Sequence, residues 1–201
     1  MGFLTEYQTS TVTLGKLKFL INPAFDAVLE VQRLFSEEDL TEHDKVDQAL
    51  KMLVINSRRL RLIGLKEKAD LLHEIYRQCI NTRKHPPSRK NVRVLDFEYD
   101  GEYIYSSFML DYGIDLINEQ GRLPWKKFIA LFQGLSEHTK IREVMRIRSM
   151  DIPNPTGKNE KQIQEIMDLK SYYALPVKGG GGQAGLDALF SALEGMAVKN
   201  G

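Results

Sequence analysis

The chain begins with a pattern that is typical of a β-hairpin. Apolar side chains alternate along two short runs on either side of Gly15-Lys16. They are Val12, Leu14, Leu17, Phe19 and Ile21. A Gly-X pair between two such runs is typical of a two-residue turn whose first central residue has a positive φ. We therefore predict a hairpin over residues 11–21, which needs a packing partner because two strands alone are marginal in water.

Most of the following chain predicts helices, because apolar residues recur every three or four positions. Asn22 is a candidate N-cap with Pro23 at the first helical position, Thr41 is a candidate N-cap for the second helix, and Gly64 separates the second from the third. The three apolar stripes are Ala24, Ala27, Val28, Val31, Leu34 and Phe35; then Val46, Ala49, Leu50 and Leu53, continuing towards Leu60; then Leu65, Ala69, Leu72, Tyr76, Cys79 and Ile80. Since Cys79 lies on an apolar face, we expect a buried, unreactive thiol.

Four more helices are predicted in the second half of the chain, the last from about residue 159 to just before Pro176. Their candidate starts are Asp100, Leu123-Pro124 and Ser136, and their candidate stops are Gly113 and Gly134. Their apolar stripes are Tyr103, Ile104, Tyr105, Phe108, Met109 and Tyr112; Trp125, Phe128, Ile129, Leu131 and Phe132; Ile141, Val144 and Met145; and Ile163, Ile166, Met167 and Tyr173. The fold class is therefore mainly α, a compact helical domain with a short N-terminal hairpin.

The C-terminal part of the sequence differs in kind from this domain, which we place at residues 1–176 with a basic loop at about 81–95. Four consecutive glycines predict a linker over 177–183, followed by an amphipathic helix over 184–198. The apolar stripe of that helix is Leu186, Leu189, Phe190, Leu193 and Met196. So short a helix is barely stable alone. It therefore docks on its own domain or enters a groove of another chain, and the loose tether favours the partner. We take the stripe as a candidate partner-binding site.

The charges nearly balance over the whole chain but are unevenly distributed. Against 28 Lys and Arg stand 27 Asp and Glu, which argues against a protein that coats nucleic acid or an anionic membrane. Residues 56–95 hold 11 basic and 3 acidic residues, whereas residues 96–121 hold seven acidic residues and no basic one. These blocks pair within the fold, pair between subunits or form solvated faces, and we favour solvated faces. The basic stretch at 83–93 has no Phe, Tyr or Trp to stack on a base, which disfavours nucleic acid as a partner.

Composition excludes several classes of protein. A single cysteine permits no internal disulfide and no cysteine-based zinc cluster. The first residues do not resemble a signal peptide, and no apolar run approaches the roughly 18 residues that span a bilayer. We expect a soluble, cytosolic protein that does not enter a membrane.

Motifs for chemistry are incomplete wherever they begin. Residues 96–101 imitate the start of a calcium loop, but its twelfth position, which requires Glu, is Ser107, so we interpret these acids as a helix entrance. Gly134 to His138 begins like a nucleophile elbow, but His138 replaces the second glycine. The glycines at 179–182 follow a predicted helix and lack a Lys-Ser or Lys-Thr partner. We therefore predict no catalytic residue, no metal, no cofactor and no enzyme activity.

The middle of the chain nevertheless resembles a known family. The segments that carry the resemblance are Tyr103-Ile104-Tyr105-Ser106-Ser107-Phe108, Asp111-Tyr112-Gly113-Ile114-Asp115-Leu116, Trp125-Lys126-Lys127-Phe128, Leu131, Gly134-Leu135-Ser136 and Arg148-Ser149-Met150. They are similar to small proteins of long-tailed phages and prophages of Gram-positive bacteria, encoded next to the tape measure and regarded as tail assembly chaperones. The resemblance covers about residues 97–176, and the hairpin and capped helix at 11–35 are similar in outline, though less specific. It leaves out the basic loop and the glycine-tethered tail.

The resemblance implies a protein that holds the tape measure protein soluble, recruits tail tube subunits, or does both. It implies the tape measure protein as partner, with the tube protein and a second chaperone as further candidates. It also implies self-association, action in the host cytoplasm and absence from the mature virion. Two alternatives stay open: a structural component of the tail or baseplate, present in virions at fixed copy number, and a host-directed nucleic-acid binder with salt-sensitive affinity.

Overall fold

The structure, a computed structural model, describes residues 10–37, 39–81 and 93–176. Within these ranges the fold is mainly helical with one two-stranded antiparallel hairpin, which confirms the predicted fold class. The strands are β1 (Thr11–Leu14) and β2 (Leu17–Leu20). The helices are α1 (Phe25–Ser36), α2 (Glu42–Leu53), α3 (Leu65–Ile75), α4 (Gly101–Tyr112), α5 (Trp125–Gln133), α6 (Lys140–Ser149) and α7 (Glu160–Tyr172). A 3₁₀ turn covers Ser57–Leu62, and α3 continues as one π turn over Tyr76–Ile80. The predicted linker 177–183, the predicted helix 184–198 and most of the basic loop lie outside the described residues.

The predicted hairpin is confirmed, and it attaches to the end of α2. Gly15 has a φ of +56°, which turns the chain at the predicted position. Val12 pairs with Phe19, and both side chains are fully buried. Beyond β2, the amide of Asn22 donates to the carbonyl of Leu53 at 2.7 Å. The hairpin therefore covers one side of the helical core.

Long-range pairing shifts the start of the first helix. Asn22 and Pro23 do not begin it, because α1 starts at Phe25 with Ala24 at the N-cap position. The carbonyl of Pro23 accepts the amide of Trp125 at 2.7 Å, and Ala24 forms an isolated bridge with Pro124. The backbone is extended there in order to pair with the start of α5. The predicted α1 stripe itself is buried or half-buried.

Long-range pairing also ends the second helix early. Thr41 is its N-cap and accepts the amide of Asp44, as predicted. However, α2 stops at Leu53 and does not reach Leu60, because the amide of Ile55 donates to the carbonyl of Leu20 at 2.8 Å. The expectation that Leu65 faces the core is wrong, since its side chain is exposed at the first position of α3.

Two of the predicted helix caps in the second half hold other partners. Gly113 ends α4 as predicted, with a φ of +64°. Asp100 occupies the N-cap position, but its carboxylate binds Arg148 and caps nothing. Ser136 donates its hydroxyl to Asp111, and α6 begins one turn later behind Thr139. Both polar side chains are therefore taken by tertiary contacts.

The core is densely aromatic at its centre. Phe128 of α5 stacks on Phe25 with ring centroids 4.9 Å apart and on Phe108 with centroids 5.2 Å apart. Cys79 is buried nearby in the same cluster, and its burial raises the pKa of the thiol, in agreement with the predicted unreactive cysteine. Helix α7 is different, since none of its residues is buried, and of the predicted stripe Ile163, Ile166 and Tyr173 are partly covered while Met167 is exposed.

Candidate interaction surfaces

An apolar groove opens on the surface beside the aromatic centre of the core. Its volume is about 150 Å³, and α1, α4, α5 and the segments around them form its walls. The lining residues are Phe25, Leu29, Phe97, Gly101, Ile104, Tyr105, Leu116, Ile117, Gln120 and Phe128. Ile117 at the mouth is 64% exposed, whereas Phe25, Phe97, Ile104 and Phe128 on the floor are buried. We call this feature the apolar groove.

The floor of the apolar groove is fixed by ring packing. Besides its stacks with Phe25 and Phe108, Phe128 lies 5.8 Å from the ring of Phe97. Phe97 also meets Trp125 edge-on at 5.8 Å and Phe132 at 5.4 Å. Stacked and edge-to-face pairs of this kind add roughly 0.5–1.5 kcal/mol each beyond the area they bury. The floor is therefore not free to fold into the open space above it.

The outer wall, residues 114–121, is tied down at both ends. At its start Asp115 accepts the amide of Ile117 at 3.0 Å, which holds the exposed isoleucine in place. At its end the amide of Gly121, which has a φ of +70°, donates to the carboxylate of Asp26 on α1 at 2.9 Å. The next residues pair with α1 through the amide of Phe25 and the carbonyl of Leu123. The wall therefore stands at a fixed distance from α1.

A compact turn at residues 96–101 supplies Phe97 and Gly101 to the apolar groove. The carboxylate of Asp96 accepts the amides of Glu98 and Tyr99 and pairs with Arg93. Of the three acids that imitate a calcium loop, Asp96 and Asp100 are engaged by backbone amides and arginines, whereas Glu98 is exposed. Among the described residues, no group of three or more His, Cys, Asp or Glu side chains is arranged to hold a metal ion.

A buried ion pair holds this turn against α6. Two nitrogens of Arg148 contact the two carboxylate oxygens of Asp100 at 2.6 and 2.8 Å, and the side chains are 4% and 0% exposed. Asp100 also accepts the amide of Asp96 at 2.9 Å. The pair fixes the position of the turn and, through it, the position of Phe97.

The same arginine reaches the C-terminal end of α7. Its Nε donates to the carbonyl of Tyr173 at 2.6 Å. Lys170 returns the contact, because its Nζ donates to the carbonyls of Arg148 and Met150 at 2.7 and 2.8 Å, where α6 ends. Lys140 bonds the hydroxyl of Tyr173 at 2.8 Å, and its bonds to Tyr173 and Glu143 raise the pKa of Lys140. Polar contacts therefore dominate the attachment of α7.

Helix α7 presents a second set of apolar side chains to solvent. Met167, Leu169 and Tyr172 are exposed, with Tyr172 at 76%. We call these three residues the α7 surface. Exposed apolar side chains that stand singly are ordinary on protein surfaces, whereas contiguous patches indicate contact sites. The α7 surface is separate from the apolar groove, whose lining includes no residue of α7.

The structure tests the predicted charge blocks as well. Asp96 and Asp100, from the acidic block, are buried and paired with arginines, so the acidic block is not simply a solvated face. Arg93 belongs to the basic block, and Asp96 belongs to the acidic block. Their ion pair therefore joins the two blocks within the fold. The predicted partner-binding residues, Leu186, Leu189, Phe190, Leu193 and Met196, lie outside the described residues and stay a prediction.

Sequence patterns did not reveal the apolar groove, although they found much of its floor. Phe128, Ile104 and Tyr105 belong to predicted helical stripes, which mark them as core residues without showing that one side of that core is open. Ile117 lies in a non-helical segment with no periodicity. The apolar pair Leu116 and Ile117, between Asp115 and Asn118, was the available signal, and it carries little information by itself.

Comparison with known families decides the origin of the protein. A family model described as Bacteriophage Gp15 protein matches residues 5–175. The chain belongs to this phage protein family. The Gp15 match covers the whole apolar groove. It includes the segments on which the resemblance was drawn, about 97–175 and in outline 11–35, and extends to the helices between them and to the basic loop. Its description names no chaperone activity. No curated protein and no solved structure matches the chain.

The helices of this Gp15 family member are short. Among the described residues, no helix combines the length and the apolar character that crossing a bilayer requires. The longest described α-helix without its π or 3₁₀ extension is α7, with 13 residues.

Proposed function

We propose that this phage protein is a tail assembly chaperone that holds the tape measure protein soluble and gives it up to tail tube subunits, which it also helps to recruit. The proposal includes action in the host cytoplasm and no enzyme activity. The observation that carries it is the apolar groove, an open apolar site on a rigid floor. Membership of a phage family supports the setting.

A tape measure protein is long and helical, and its apolar stripes associate with one another until they are covered. A groove of about 150 Å³ has the capacity of one large apolar side chain. Burying such a side chain contributes roughly 1.5–3 kcal/mol, which is small beside the cost of association. Each copy therefore binds weakly. Many copies are needed to cover a long helix, and arriving tube subunits can displace them. No bond is made or broken.

Co-expression with the tape measure protein of the same phage tests this function. We expect the soluble fraction of the tape measure protein, measured after centrifugation, to rise when the full chain is present. Ile117→Asp places a charge at the mouth of the apolar groove and is expected to abolish most of that rise. Leu110→Asp is the matched control, because Leu110 is 67% exposed and does not line the groove. An unchanged soluble fraction with the natural chain would refute the proposal.

The C-terminal stripe, Leu186 to Met196, is proposed as a second contact, with the tape measure protein or with another copy of this chain. Deleting residues 179–201 is expected to leave a folded protein that associates less or holds the tape measure protein poorly. Sedimentation velocity and the same solubility assay measure these effects. Unchanged sedimentation together with unchanged solubilisation would exclude this second contact.

Mass spectrometry of purified phage particles separates the chaperone from a structural component of the tail or baseplate. A chaperone that is displaced during assembly is expected to be absent from mature particles. Recovery of this chain at a fixed copy number in them would contradict the proposed function.

A further inference from the structure

Carboxylates surround the mouth of the apolar groove. Asp26 is bonded to the amide of Gly121, next to the lining residue Gln120. Asp115 is bonded to the amide of Ile117, which lines the mouth itself. Hydrogen bonds thus fix two negative charges beside the outer wall, at either end of the segment that closes the groove.

Two more carboxylates flank the opposite side. Glu98 is exposed and lies between Phe97 and Gly101, and Glu102 is exposed on α4, about 60° around the helix from Tyr105. Glu98 also lies near α1, because its charge contributes, after Glu30, to the raised pKa of Arg33.

Two arginines lie close to this mouth. Arg33 bonds Glu30 at 2.9 Å, so that these two side chains neutralise each other. Arg122 is exposed directly after Gly121 and offsets one carboxylate. Against it stand Asp26, Glu98, Glu102 and Asp115, so that negative charge is in excess around the apolar opening. Residues 96–121, which supply three of these carboxylates, contain no Lys or Arg.

We infer that the apolar groove takes an amphipathic helix from another polypeptide, with one large apolar anchor side chain flanked by lysines or arginines. The anchor fills the space above Phe128, and the basic residues, three or four positions away on the same helical face, meet the carboxylates at the mouth. This inference deepens the proposed function by naming the chemistry of the bound segment. Only the identity of the bound polypeptide rests on the proposed function.

Two segments of this chain fit the site less well. The predicted stripe at 186–196 is accompanied by Asp187 and Glu194, and residues 184–198 contain no Lys or Arg, so this segment would meet like charges at the mouth. The basic stretch at 83–93 has the complementary charge, but Pro86 and Pro87 disfavour a helix there. A foreign basic helix satisfies both the apolar and the electrostatic requirement.

The test uses the full chain and two synthetic peptides with the same apolar positions. The probe is the capped peptide LKKLLKLLKKLLKL, and its control is LEELLELLEELLEL. Fluorescence anisotropy at low salt is expected to show at least tenfold tighter binding of the lysine peptide. That difference should shrink as sodium chloride rises from about 50 to 500 mM, because the screening length falls below 10 Å.

Variants assign the binding to the apolar groove. Ile117→Ala is expected to weaken the lysine peptide by roughly tenfold, as for the loss of one anchor contact, whereas Leu110→Ala leaves it unchanged. The double variant Glu98→Gln and Glu102→Gln should weaken the lysine peptide and flatten its salt dependence. Glu160→Gln with Glu165→Gln changes the net charge equally on α7, away from the groove, and should have little effect.

Several results would overturn the inference. Equal affinity for both peptides would remove the electrostatic part, and equal losses in the Ile117 and Leu110 variants would place the binding elsewhere. If deletion of residues 177–201 raised the affinity for the lysine peptide more than tenfold, the C-terminal segment of this chain would be the occupant. Self-association that requires Ile117, without peptide binding, would assign the groove to a second copy.

The inference and the proposed function fail separately. Tape measure protein that stays soluble with the Ile117→Asp chain would disprove the groove as the contact and leave the chaperone function standing. Selective binding of the lysine peptide, with no effect of the chain on the solubility of the tape measure protein, would support the groove inference and disprove the chaperone function.

Discussion

Breaking the buried ion pair between Arg148 and Asp100 is expected to cost this protein a large part of its stability. The arginine makes two bonds to the carboxylate, one to the carbonyl of Val94 and one to the carbonyl of Tyr173, at 2.6–3.0 Å. In Arg148→Met the apolar stem is kept and all four bonds are lost. The buried carboxylate of Asp100 then has no arginine beside it and keeps the hydrogen bond from the amide of Asp96.

The magnitude follows from the burial of both side chains. Removing one partner of a buried pair typically costs about 3–5 kcal/mol, because the other charge is left uncompensated. Domains of this size are stable by roughly 5–15 kcal/mol, so the variant loses about a fifth of its stability or more. Arg146→Met is the matched control on the same helix. Arg146 is exposed, and its replacement should change the stability by about 0.5 kcal/mol or less.

Urea unfolding followed by circular dichroism measures these free energies. Asp100→Asn and the double variant with Arg148→Met complete a double-mutant cycle, in which we expect the double variant to be less destabilised than the two single changes added together. A loss below about 1 kcal/mol in Arg148→Met would refute the reasoning, and so would simple additivity in the cycle.

Three further predictions concern α7, a helix end and the cysteine. Lys170→Met removes the bonds to the end of α6, so amide hydrogen exchange over residues 160–172 should accelerate, whereas Lys161→Met, on the exposed side of α7, should not accelerate it. Gly113→Ala places a residue with a Cβ at a φ of +64°, so we expect the free energy of unfolding in urea to fall by about 1–2 kcal/mol. Gly101→Ala is the control, because Gly101 has a helical φ and equally open space, and we expect it to lose no stability. Burial raises the pKa of the Cys79 thiol. The stability that this shift contributes to the fold is therefore present below the ordinary thiol pKa, and it is lost as the pH rises through the raised pKa. Iodoacetamide should therefore modify the folded protein far more slowly than the urea-unfolded chain, and equal rates would contradict the buried thiol.

Local periodicity predicted the helices well, because each helix from α1 to α6 buries an apolar stripe that is visible within its own segment. The predicted ends failed where a polar side chain had a distant partner. Asp100 has the residue type of an N-cap, yet a charged arginine 48 positions away binds its carboxylate more strongly than a backbone amide does. Ser136 fails for a similar reason, since Asp111 takes its hydroxyl. No pattern within ten residues contains that information.

The apolar groove could not be predicted, because it is a property of spacing between elements. Phe25, Phe97 and Phe128 come from three separate parts of the chain, and of the three only Phe128 belongs to a predicted apolar stripe. The space beside them stays open because the hydrogen bonds of Asp115 and Gly121 hold residues 114–121 away from these rings. The preference for solvated charge faces failed for Asp96 and Asp100, which composition cannot distinguish from exposed acids.

An open apolar groove is costly to maintain, and the contacts around it explain how it persists. Apolar surface that the groove leaves in contact with water costs roughly 25 cal/mol per Å² relative to burial. Collapse of the turn at residues 96–101 would recover part of that energy. The pair of Arg148 and Asp100, whose rupture costs about 3–5 kcal/mol, opposes the collapse. It follows that Arg148→Met, under conditions where it stays folded, should also lose its affinity for the lysine peptide, although Arg148 lies outside the lining of the groove.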